Sequence, residues 1–164
     1  MPNTSDIALK EWSVVCEAIA QGRQQVLFRK GGIHEGPDGF TPEHQEFWLF
    51  PTGFHQSLDR IRPEFRDGLA SRMEIPDGQL PLQHFCRTTE VKWVDGLDEL
   101  KSLRKQHVLT DDAIQERFQY RRSGVFVLFI ECQSLPAPVF IPNEPRYDGC
   151  RSWVRLSSEL SCPS

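Results

Sequence analysis

The sequence predicts a single α+β domain, in which a curved mixed sheet or partly open barrel carries three or four packed helices. Three observations predict it. Helix-periodic and strand-like stretches are interspersed without the βαβ rhythm of a doubly wound fold. One run, "GVFVLFIEC", is apolar almost throughout, as a central strand covered on both faces must be. A chain of 164 residues, 38% hydrophobic and 10% aromatic, has the length and composition of one ordinary core.

The first element reads as a helix. In "SDIALKEWSVVCEAIAQG", Leu9, Trp12, Cys16 and Ile19 recur at i, i+3, i+7 and i+10, which lines one helical face. Ser5 supplies an N-cap, Asp6 suits the first turn, and Gly22 supplies the stop. Residues 1–22 are thus expected as an N-terminal helix packed on the domain, with Lys10, Glu11, Glu17 and Gln21 toward water.

"RQQVLFRKGG" follows as a strand ended by Gly31 and Gly32, and "IHEGPDGFTPEH" as a loop of turn formers. "QEFWLF" is a second strand closed by Pro51; Thr52 then caps a helix from Phe54 to Leu69 that bends at Pro63. "SRMEIPDGQLPLQ" carries too many turn residues for regular structure. "HFCRTTEVKWV" is a strand, and "DGLDELKSLRKQH" is a helix burying Leu97, Leu100 and Leu103. "TDDAIQERFQYRR" is a short helix capped by Thr110, followed by the strong strand. "APVFIP" reads as a separate edge strand, "SWVRLS" as the last strand, and residues 157–164 as a flexible tail of the 1–164 domain.

A net charge of −4 excludes a globally basic binder that coats nucleic acid without regard to sequence, though not a local basic patch. "MPNTSDIALKEW" has no basic n-region or apolar run, and no stretch reaches the length of a membrane span, so a cytoplasmic protein without membrane contact is expected. The five cysteines, Cys16, Cys86, Cys132, Cys150 and Cys162, show no C-x-x-C spacing and read as reduced thiols.

The stretch "EHQEFWLFPTGFHQ" holds the main candidate site. On an extended strand, Glu46 shares a face with Trp48 and Phe50, where a carboxylate is either desolvated and shifted toward its neutral form or held by a cation. Arg29 and Lys30 end the preceding strand, and His55 and Gln56 lie in the first turn of the expected helix. Arg29, Lys30, His44, Glu46, His55 and Gln56 are therefore the expected ligand-binding residues, for nucleic acid or an anionic small molecule. The competing reading is a metal-assisted hydrolase or nuclease using His44, Glu46 and His55; a third is a structural ion pair between Glu46 and Arg29. "EVK", with Glu90 and Lys92, has the E-x-K form of some nucleases but lacks the preceding strand-end aspartate, and Glu131 follows the strong strand. No catalytic residue, metal or cofactor is assigned by these patterns.

A second region interleaves cations with rings: "KSLRKQH" and "ERFQYRRSG" contain Arg104, Arg117, Arg121 and Arg122 beside Phe118 and Tyr120. Nucleic-acid surfaces use that combination, and nearby acids such as Asp111 and Glu116 also make it a balanced solvated face. "RYDGCRSW" places Arg146, Tyr147, Cys150, Arg151 and Trp153 around a turn into the last strand, with Tyr147 and Trp153 expected to anchor that turn on the core.

The blocks "ALKEWSVVCEAIAQGRQQVLFRKGGI", "PEHQEFWLFPTGFHQ" and "YDGCRSWVRL" resemble a bacterial family catalogued as domain of unknown function 1802, over almost the whole chain. Members of that family have been noted beside restriction-endonuclease-type domains. The resemblance therefore implies an accessory role in restriction or related nucleic-acid biology, with a restriction-type partner protein, and assigns no activity to any residue.

Overall fold

The computed structural model describes residues 3–30, 42–53, 58–69, 73–149 and 151–164. It is an α+β domain built on a six-stranded mixed sheet that does not close into a barrel. The strands are β1 (Thr4–Trp12), β2 (Val26–Arg29), β3 (Glu46–Thr52), β4 (Gln79–Val94), β5 (Val125–Pro142) and β6 (Trp153–Ser161). They lie in the order β2-β5-β4-β3-β1-β6. All neighbours are antiparallel except β1 and β3, which run parallel with Ala8 opposite Trp48 and Trp12 opposite Thr52. Among the described residues, four α-helices accompany the sheet: α1 (Ser13–Ala20), α2 (Pro63–Leu69), α3 (Leu97–Lys101) and α4 (Asp111–Gln119).

The main departure from expectation is at the N-terminus. The apolar set Leu9, Trp12, Cys16 and Ile19 does not lie on one helix: the first two belong to β1 and the last two to α1. β1 sits between β3 and β6, so Ala8 and Leu9 are both buried, on opposite faces of the sheet. Ser5 faces Leu160 in a strand pair and caps no helix. Glu11, expected in water, is 4% exposed. Gly22 does end α1, at φ +75°, with its N–H donating to Ile19 O at 3.0 Å.

Two long strands replace what read as short pieces. β4 begins at Gln79, inside the stretch expected to be irregular, and β5 continues through "APVFIP". Their pairing runs from Gln79 opposite Pro142 to Val94 opposite Val125, with register shifts between Leu82 and His84 and between Thr88 and Glu90. Such irregularities bend a ribbon, which lets the β4–β5 pair serve both faces of the sheet. One core packs Leu9, Phe47, Leu49 and Val127 against Val15 and Ile19 of α1. A second packs Ala8, Trp48, Phe50, Leu82, Tyr147 and Leu156 on the other face. β3 contributes alternate residues to the two, as its period of two requires.

The expected tail is also strand: β6 reaches Ser161, and Cys162 N–H donates to Asn3 O at 2.8 Å. Pro63 opens α2 where a bend was expected, since a helix tolerates proline in its first turn. Thr52 ends β3 and donates its hydroxyl to Glu11 O at 3.3 Å. α4 begins as expected, with Ala113 N–H donating to Thr110 Oγ1 at 3.1 Å. Among the described residues, no helix is long and apolar enough to cross a membrane.

The turn from α4 to β5 is set by Gly124, at φ +125°, over which the Trp93 ring lies. A Cβ there would stand 2.3 Å from Trp93 Cζ2. Gly124→Ala must push away a ring that is edge-to-face with Phe126 at 4.9 Å, and must hold an alanine at positive φ. The expected loss is about 2 kcal/mol in urea unfolding. In a Trp93→Ala background the steric part disappears, and the same substitution should cost only about 1 kcal/mol. Equal costs in both backgrounds would refute the contact.

Candidate functional site

The ends of β1 and β2 and one face of α4 line an open cavity of about 440 Å³, within the range of small-molecule sites. Trp12 ends β1, Phe28 and Arg29 end β2, and Lys30 follows. α4 contributes Ala113, Glu116 and Arg117, spaced at i, i+3 and i+4 so that they share a face, and Tyr120 stands at its C-cap. Arg60, from a 3₁₀ turn at Leu58–Arg60, and Arg151 with Ser152, just before β6, complete the wall.

Beneath the wall sits the buried carboxylate of Glu11. Its Oε2 is 3.5 Å from Arg29 Nη2 and its Oε1 is 3.8 Å from Arg117 Nη2. Oε1 also accepts from Trp12 N–H at 2.8 Å. Arg117 stacks over the Trp12 ring at 4.5 Å and donates to Phe28 O at 2.9 Å. Burial lowers its pKa, and Glu11 offsets part of that. Arg29 donates to Lys10 O. Glu11 therefore ties the ends of β1, β2 and α4 together.

The remaining cations differ in how much of their capacity is taken. Lys30 Nζ donates to Arg117 O at 2.9 Å and to Phe118 O, carbonyls in the last turn of α4 that a cation satisfies well. Burial, then the charge of Arg122, lowers its pKa. Arg60 pairs with Glu116. Arg29 Nε–H is buried without an acceptor among the described residues, although it belongs to a residue lining the cavity. Arg151 is exposed and makes no ion pair with a described residue. At the rim Tyr120 is 51% exposed, with the Arg121 guanidinium 5.2 Å from its ring centre. Beyond it Arg122 lies over Trp93 at 5.5 Å.

Among the described residues, five cations thus face one wall acid, Glu116, and one buried acid, Glu11. Such a surface accepts an anion, and its aromatic rim accepts a planar group. Among the described residues, no histidine or cysteine lines it, and no group of three His, Cys, Asp or Glu is placed to hold a metal.

Of the residues expected to form the site, Arg29 and Lys30 line this cavity; His44 and Glu46 do not. β2 pairs with β5, not with β3. Glu46 begins β3, whereas Pro51 faces Glu11, so the two acids are separated by the rise from residue 46 to 51, about 17 Å. Glu46 is exposed at the strand's end, where its position on the Trp48 face entails no desolvation. His44 lies edge-to-face with Trp153 at 5.0 Å and 3.9 Å from the Glu43 carboxylate. His55 and Gln56 lie outside the described residues. Trp12, Arg117, Tyr120 and Arg151 join the site from positions 17 to 122 residues from Arg29, which no local pattern connects to "LFRK".

Among solved structures, the chain is similar to ASCH from Zymomonas mobilis, at 14% identity over 92% of this chain and 86% of that one, with a TM-score of 0.52. A serine-to-alanine variant of the same protein matches at 14% identity over 95% and 91%, with a TM-score of 0.51. At such identity the likeness is one of fold. No curated protein matches the chain. The family model described as a domain of unknown function, DUF1802, matches residues 8–163, and the chain belongs to that family.

Proposed function

We propose that this protein is a nucleic-acid-binding domain that seats a phosphate of a single strand in the cavity and stacks a neighbouring base on Tyr120. The observation that carries the reading is the orphaned Arg29 Nε–H, a buried donor on a cation-lined wall. A buried N–H left without an acceptor costs free energy that a phosphate oxygen would recover. Arg151 and the remaining Lys30 N–H supply further donors at the same wall. Tyr120 and Trp93, each carrying an arginine, extend the rim as stacking surfaces, and base stacking contributes about 1–3 kcal/mol per base. With an overall charge of −4, attraction to a strand would be confined to this patch. The family's association with restriction-type nuclease domains fits an accessory role of this kind.

Fluorescence anisotropy with labelled oligo(dT) and oligo(U), repeated across salt concentrations, tests the reading. Binding should weaken with salt. Arg151→Ala should cut affinity about 5–10-fold and reduce the log–log salt slope by about 0.7. Tyr120→Ala should cut affinity about tenfold with the slope unchanged. No binding at low salt, or binding indifferent to both substitutions, would sink the proposal. A mononucleotide competing as well as the oligomer would assign the cavity to a small anionic ligand instead.

A further inference from the structure

Antiparallel strands bring directly opposed residues close: their Cα atoms lie about 4.5–5.5 Å apart, inside the roughly 4.4–6.8 Å that a disulfide spans. Cys86 on β4 and Cys132 on β5 are such partners in the longest ladder of the sheet. Both side chains belong to the same core, because directly opposed residues of neighbouring strands project to one face. The two thiols differ in surroundings. Cys86 is fully buried, with Phe47 of β3 opposite it on its other flank. Cys132 is half-buried at the edge of the core.

We propose that Cys132 and Cys86 form a reversible oxidation site, in which Cys132 takes an oxygen from a hydroperoxide and Cys86 resolves it to a disulfide bridging β4 and β5. In the first step the Cys132 thiolate attacks a peroxide oxygen. The S–O bond forms, the O–O bond breaks, and the leaving oxygen departs as water or alcohol after taking a proton. Sulfur loses two electrons and the peroxide gains them, giving a sulfenic acid. In the second step Cys86 sulfur attacks Cys132 sulfur; the S–S bond forms, the S–O bond breaks, and hydroxide leaves with the Cys86 proton as water. A dithiol reductant reverses the sequence and is itself oxidised to a disulfide.

The surroundings divide the labour in that direction. Cys132 is the more accessible of the two, and the neighbouring Cys86 thiol lowers its pKa while burial raises that of Cys86, so the accessible sulfur is the better first nucleophile. Cys16 is the natural control. It belongs to the same core but sits on α1, is buried, and donates its thiol to Glu11 O at 3.7 Å. Cys162, on the C-terminal segment, has its thiol pKa raised by burial and by Glu46.

The test treats the folded, full-length chain with hydrogen peroxide, blocks free thiols by alkylation, and maps the peptides by mass. The expected result is an intramolecular Cys86–Cys132 link, lost on dithiothreitol treatment, with Cys16 still alkylated after unfolding. Cys86→Ser should remove the link and raise dimedone trapping at Cys132 several-fold; Cys132→Ser should abolish both. The wild-type map does not depend on any variant folding. A Cys132 driven to sulfonic acid beside an alkylated Cys86, or a link joining other cysteines instead, would overturn the proposal.

Discussion

Glu11→Ala is expected to cost about 3–5 kcal/mol of stability, the largest loss from any single side chain at the cavity. The carboxylate is 4% exposed and lies within 4 Å of two guanidinium groups, Arg29 and Arg117. Removing it leaves two like charges facing one another in a half-buried space, and Trp12 N–H loses its acceptor. The loss should persist in high salt, because a pair this sheltered is poorly screened. Glu11→Gln separates the two contributions. The amide oxygen can still accept from Trp12 N–H, whereas the charge is gone, so its cost should fall below that of alanine. Urea unfolding of both variants at low and high salt measures each quantity. Binding supplies a second, opposite signature: if Glu11→Gln folds, the cavity has gained one net positive charge. Oligonucleotide affinity should then rise, provided the geometry around Arg29 holds. A loss below about 1 kcal/mol for Glu11→Ala would mean that the arginines reach solvent without it.

The same residue shows why the site was only partly legible in the sequence. Arg29 and Lys30 could be found because a strand ending in two cations is a local signal. Their partner could not. "ALKEW" fits a helix by its apolar spacing, and helical periodicity places Glu11 on the wet face. What decides otherwise is non-local: β1 fills the gap between β3 and β6, contacts some 40 and 145 residues away, and the strand pleat turns Glu11 toward Arg29. α4 was readable for the opposite reason, since its Thr110 cap and its length are local properties. The strong strand was found, but its extent was not. Pro136, Pro138 and Pro142 read as interruptions, yet β5 carries all three while its partner β4 bends with it. Glu46 shows the limit of parity arguments. It lies on the Trp48 face as period two demands, but the core does not extend to the strand's first residue.

Stability should also fall on mild acidification, and His107 should account for most of that fall above pH 5. The imidazole is 2% exposed, edge-to-face with Phe28 at 5.2 Å, directly behind the cavity wall. Its Nδ1 accepts from Leu109 N–H at 3.0 Å, which requires the neutral ring. Burial first, then the charge of Arg62, with Arg104 adding to it and Asp111 opposing, lowers its pKa from 6.5 to about 4. Arg62 is fixed there by its own bonds to His107 O at 2.7 Å and Arg104 O at 3.1 Å. Because the folded-state value is the lower one, the unfolded chain binds the proton first as pH falls. Stability is therefore full above about pH 7 and declines between 6.5 and 4, by about 2 kcal/mol on reaching pH 5 and about 3 kcal/mol in all. His84, also lowered by burial, adds to the fall with the same sign. His107→Asn keeps an acceptor for Leu109 N–H and removes the titration, so it should flatten the curve between pH 7 and 5 while leaving the His84 share. Carboxylates titrate mainly below that window. Urea midpoints from pH 7 to 5 for both proteins, with an NMR titration of the His107 ring, decide the matter. A ring that protonates near pH 6.5 in the folded protein would remove this explanation, since folded and unfolded chains would then take up the proton together.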